Sequence, residues 1–135
     1  MIRVRILLAA DSVVRDASTN RLSVFNIHEQ FRPTGFPVLV PRFTVLAVLD
    51  REPGDPETVP CRLKIVLEPD VLFDQPVEVN FSGENLTRAL MEFQGLLVPR
   101  PGALRVAFEV AGAATETYPM PVFLPPQATP PVRLT

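Results

Sequence analysis

Apolar and polar residues alternate along most of this chain. Ile2, Val4, Ile6 and Leu8 fall on one side of Arg3, Arg5 and Leu7. A period of two is that of a half-buried strand, whose successive side chains point to opposite faces. The same alternation recurs at Leu63, Ile65 and Leu67 beside Arg62 and Lys64, and at Val77, Val79 and Phe81 beside Glu78 and Asn80. It returns at Leu104, Val106, Phe108 and Val110, set against Arg105, Ala107 and Glu109. Leu22–Ile27 is rich in the β-branched and aromatic residues that suit a pleated surface. Phe43–Leu49 departs from the rule, with Phe43, Val45, Ala47 and Leu49 on one face and Leu46 and Val48 on the other. A strand apolar on both faces is central in its sheet or covered by a loop or partner. A subunit interface is the competing reading of that strand.

Turn formers separate these runs. Asp16-Ala17-Ser18-Thr19-Asn20 lies between Ser12–Arg15 and Arg21–Phe31, which predicts a hairpin. Pro33–Pro37 with Pro41, Asp50–Glu57 around Pro53-Gly54, Glu68–Asp70, Ser82–Asn85, Pro99–Gly102 and Ala111–Ala113 are further breaks. Thr87–Val98 fits a helical stripe as well as a strand. Its strand-rich surroundings and Gly95, which would weaken a helix interior, decide for strand. Thr115–Val122 is the last predicted strand. The expectation is an all-β fold: an antiparallel β-sandwich of about eight strands, immunoglobulin-like in general shape. One domain over residues 1–123 and a Pro-rich tail over 124–135 complete the expected organisation.

Composition supports this reading. Sixteen prolines in 135 residues are hard to place in helices, where each interior proline costs about 3 kcal/mol. A 47% hydrophobic share with 21% charged residues excludes disorder for the bulk of the chain. The net charge of −2, with the two signs interspersed, gives no basic footprint for nucleic acid. The apolar run Ile6–Ala10 is five residues long and ends at Asp11, too short for a signal peptide core. No apolar stretch is long enough to span a membrane, and the expected compartment is the cytoplasm.

Few residues offer chemistry. Cys61 is the single cysteine, in an alternating strand that puts it on the face of Leu63 and Ile65, so it reads as a core residue. His28 is the single histidine. A nucleophilic triad would have to combine it with Ser12 or Ser23 and Asp11 or Asp16, and spacing cannot supply that geometry. One Cys and one His do not make a zinc site. Asp50, Glu52, Asp55 and Glu57 crowd one loop and could in principle offer oxygen ligands to calcium, but no EF-hand pattern is present and a solvated hairpin tip is the plainer reading. There is no Gly-rich phosphate cradle and no Gly-x-Ser-x-Gly elbow. Asn85-Leu86-Thr87 matches a glycosylation sequon that has no meaning in the cytoplasm.

Arg3–Asp11, Leu22–Ile27, Phe36-Pro37, Pro41-Arg42-Phe43, Gln94-Gly95-Leu96 and Pro101–Val106 together resemble a family of small uncharacterised bacterial proteins. The resemblance covers about residues 2–123. It implies a compact all-β domain of unknown function and supplies no catalytic residues. The function expected is therefore a non-enzymatic binding or assembly module, without cofactor or metal, that associates with itself or with another protein. The alternative is a small-molecule or carbohydrate-binding sandwich with Arg32, Arg42, Asp50 and Asp55 as polar contacts. The Pro-rich tail offers a further docking segment.

Overall fold

A computed structural model gives the architecture, and it describes residues 1–125. The strands are β1 (Arg3–Arg15), β2 (Leu22–Ile27), β3 (Val38–Val40), β4 (Phe43–Asp50), β5 (Thr58–Leu67), β6 (Asp70–Asn80), β7 (Leu86–Phe93), β8 (Leu96–Val98), β9 (Leu104–Val110) and β10 (Glu116–Pro119). They form one four-stranded sheet of order β2-β1-β4-β7, a second of order β10-β9-β5-β6, and a β3-β8 ribbon. Every pairing between these strands is antiparallel. Among the described residues no helix is long and apolar enough to cross a membrane.

Alternation becomes burial directly. Phe43, Val45, Ala47 and Leu49 of β4 share one core cluster with Cys61, Leu63, Ile65 and Leu67 of β5 and with Leu104, Val106 and Phe108 of β9. Both four-stranded sheets thus turn their apolar faces to the same interior. Each large side chain removed from water there contributes about 1.5–3 kcal/mol.

The described residues hold ten strands, not about eight. Thr87–Val98 is strand, as read from the sequence, but it is split. Gly95 has φ 147°, and a Cβ there would come within 3.0 Å of Leu39 Cδ1. β7 therefore stays in the first sheet while β8 peels away to pair with β3, inside the stretch Pro33–Pro41 read as loop. β6 begins at Asp70, well before Val77, and carries Pro76, which an outermost strand tolerates. The predicted last strand shortens to β10, with Val122 making isolated bridges to Phe31 and Gly102. Beyond Pro125 the predicted tail lies outside the described residues.

The hairpin of β1 and β2 closes through Asp16 and Arg21, as the turn residues predict. Its distal half does not run straight on. β1 leaves β4 after the Ala10–Thr44 pair. Arg88 of β7 sits opposite Val48, and Val48 opposite Ile6. Arg15 is nine residues beyond Ile6, about 30 Å away in an extended strand. Yet at the hairpin tip the Asn20 carbonyl accepts from Arg88 Nη2 at 2.7 Å, and Asn20 Oδ1 accepts from Nη1 at 3.3 Å. The distal hairpin is an arm that curls back over the outer face of its own sheet. Val13, Leu22 and Val24 on its underside pack on Leu8, Leu46 and Val48. The bend falls at Asn26, which holds φ 54° opposite Asp11 and donates its amide to that carboxylate at 2.9 Å. Asn accepts this left-handed conformation more readily than most residues. The arm explains the double-sided apolarity of β4. That strand is central, and its second face is covered by the arm rather than by a subunit.

Candidate functional site

The four residues proposed from sequence as ligand contacts are not brought together. Arg42 precedes β4 and Asp50 ends it, about 25 Å apart along the strand. Asp50 accepts from Arg3 Nε at 3.2 Å, with Arg5 Nε at 3.6 Å. Asp55 takes the Met1 amine at 2.8 Å and the Glu52 N–H at 2.8 Å. Those contacts, the amine first, hold the Asp55 carboxyl below the usual carboxylate range. Arg32 lies over the Phe123 ring, 4.2 Å from its centroid, at a shallow depression of about 310 Å³ that also borders His28 and Asp11.

His28 follows β2 and acts as a tie. Its Nε2 stands 3.0 Å from the Arg42 carbonyl oxygen and 3.2 Å from Asp11 Oδ1. With two acceptors about it, Nε2 is the nitrogen that carries the proton and donates. The ring stacks on Phe43 with centroids 5.6 Å apart, and the His28 carbonyl accepts from the Tyr118 hydroxyl at 2.7 Å. These contacts join the ends of β2, β4 and β10. Of the acids offered for a triad, Asp11 reaches His28. Asp16 is instead held by Ser18 and Thr19, whose hydrogen bonds lower its pKa, the Ser18 hydroxyl most. Cys61 is buried, and desolvation pushes its thiol up to about 11, which removes the thiolate needed for nucleophilic work.

The feature that stands apart is the free edge of the arm. A sheet edge presents unpaired backbone donors and acceptors, and proteins guard such edges with charge, proline or shortness. β6 carries Asp70, Asp74, Pro76 and Glu78; β10 has four residues with Glu116 and Pro119; β7 carries Arg88 and Glu92. The β3 and β8 strands have three residues each. β2, Leu-Ser-Val-Phe-Asn-Ile, has no charge and no proline. Among the described residues it pairs with β1 alone. The arm's upper surface adds Val14, Phe25 and Ile27, which are 52%, 51% and 48% exposed. The sequence shows β2 as a strand. Its edge position follows only from the topology.

A model of the family of unknown function DUF6941 matches residues 5–123. The chain belongs to that family. The DUF6941 match takes in both sheets, the curled arm and Val122, close to the 2–123 span drawn from the sequence resemblance. No curated protein matches the chain.

Proposed function

We propose that this DUF6941 chain is a non-enzymatic binding and assembly module that pairs with a second copy through β2. The observation that carries the reading is the unguarded edge: β2 alone among the outer strands of the two large sheets lacks both charge and proline. Two copies meeting antiparallel along β2 satisfy the same backbone groups reciprocally, as a two-fold interface requires. The join would make one eight-stranded sheet from two copies of β2-β1-β4-β7. It would also bring Phe25 and Ile27 of each copy beside those of the other. The architecture behind this surface is best read as an antiparallel sandwich, immunoglobulin-like in layering two sheets on one core. Its strand orders differ from the A-B-E-D and C-F-G orders of that fold. A lone buried thiol suits a reducing compartment such as the cytoplasm.

Light scattering on the native chain is expected to give twice 14.9 kDa. Phe25→Lys places a charge on the free edge, where it costs the folded monomer little, and is expected to give 14.9 kDa with an unchanged circular dichroism spectrum. A native chain that stays monomeric at high concentration sinks the proposal, as does a dimer indifferent to Phe25→Lys.

A further inference from the structure

The underside of the arm leaves a groove between the hairpin and β7. It is an open depression of about 360 Å³ bordered by Arg15, Asn20, Leu22, Leu86, Arg88 and Leu90. A second depression of about 350 Å³ shares Leu22, Leu86 and Arg88 with it and runs on over Leu46, Val48 and Ile6. Each lies within the ~300–1,000 Å³ range of small-ligand sites. At the mouth, Arg15 Nη1 lies 3.4 Å and Arg88 Nη1 3.3 Å from the same acceptor, Asn20 Oδ1. Among the described residues neither guanidinium forms an ion pair. Asp16, the acid nearest in sequence to Arg15, is occupied by Ser18 and Thr19. Two cations therefore converge on one neutral oxygen at the head of a trough floored by Leu22, Leu86, Leu46 and Val48, with Arg5 bordering its second part.

We infer that this groove binds a carboxylate carried on an unbranched apolar stem, the chemistry of a medium-chain fatty acid. Asn20 Oδ1 marks where a carboxylate oxygen gains donors from both guanidiniums. Charge-assisted hydrogen bonds of that kind are roughly twice as strong as those to a neutral amide, so the ligand outcompetes Asn20. The stem then lies over Leu22 and Leu86 and follows the second depression toward Leu46 and Val48. Head and stem are recognised by different residues, and both are needed. The site lies on the arm's underside, where β2 contributes the side chains of Leu22 and Val24, whereas the pairing proposal rests on the β2 backbone edge and on Phe25 and Ile27.

The test is a titration of the full chain with sodium octanoate, followed by amide NMR, with acetate and 1-octanol as the isolated head and the uncharged stem. Octanoate is expected to move the Leu22, Leu86 and Leu90 amides, and acetate and octanol to bind at least tenfold more weakly. Arg15→Gln and Arg88→Gln are each expected to weaken octanoate at least tenfold. Asn20→Gly removes the Oδ1 acceptor but keeps the carbonyl bond to Arg88 Nη2 and suits the φ of 59° at this position. It leaves both cations and is expected to bind octanoate as tightly as the native chain or more so. The inference is overturned if octanoate does not bind, if octanol binds equally well, or if the two arginine variants bind as the native chain does. It is also overturned if Asn20→Gly loses binding as the arginine variants do, since Asn20 Oδ1 would then belong to the site instead of occupying the carboxylate's place.

Discussion

Cys61 shows how a residue's neighbours decide its chemistry. It alternates with Leu63 and Ile65 in β5 and is buried with them, so the thiolate has no water to stabilise it and the thiol is pushed up to about 11. An unfolded thiol titrates near 8.5. The folded state holds the proton more tightly, so this contribution to stability is fully present below the unfolded value and is lost as pH rises from about 9 toward 11. The folded protein at pH 8 is expected to resist a thiol reagent that labels the denatured chain within minutes. Labelling of the native protein at the denatured rate would contradict the burial. Phe108 makes the matching point for volume. It is fully buried between the sheets, and Phe108→Ala is expected to lower the unfolding free energy by about 3–5 kcal/mol in a denaturant titration.

Among the elements, those whose fate depends on their own pattern were legible. β4, β5 and β9 alternate or are apolar throughout, and they form the centre. The turn residues Asp16–Asn20 located the first hairpin. What the pattern could not show is where a strand goes after it leaves its neighbour. A period of two is the same in a straight strand and a curled one, so Val13, Leu22 and Val24 gave no sign that they close over Leu46 and Val48. In the sequence Gly95 marks only a weak point for a helix, whereas in the fold its larger effect is to send β8 to β3. The arm carries its own test. Leu46→Ala removes the middle of its seat and is expected to destabilise the protein by about 2–5 kcal/mol. Amides of Val13 and Val24 are expected to lose more exchange protection than those of β5. Equal loss throughout would mean that the arm does not open as a separate unit.

For the whole molecule, the same curl that buries one face of the arm leaves its edge bare. The sequence suggested self-association from the double-sided apolarity of Phe43–Leu49, but that strand is satisfied within the chain. The unsatisfied edge lies on β2, which cannot be distinguished from a central strand until the order β2-β1-β4-β7 is known. Of the polar residues Arg32, Arg42, Asp50 and Asp55, folding leaves Arg42 and Asp50 at opposite ends of β4, Arg32 over Phe123 and Asp55 on the Met1 amine, because residue type does not encode convergence. The most direct measurement is hydrogen exchange of the β2 amides that β1 does not use, followed as protein concentration is raised. Pairing through β2 predicts that exchange of those outward-facing amides slows in step with dimer formation and stays fast in Phe25→Lys. Rapid exchange of those amides at every concentration, whatever the mass in solution, would contradict it.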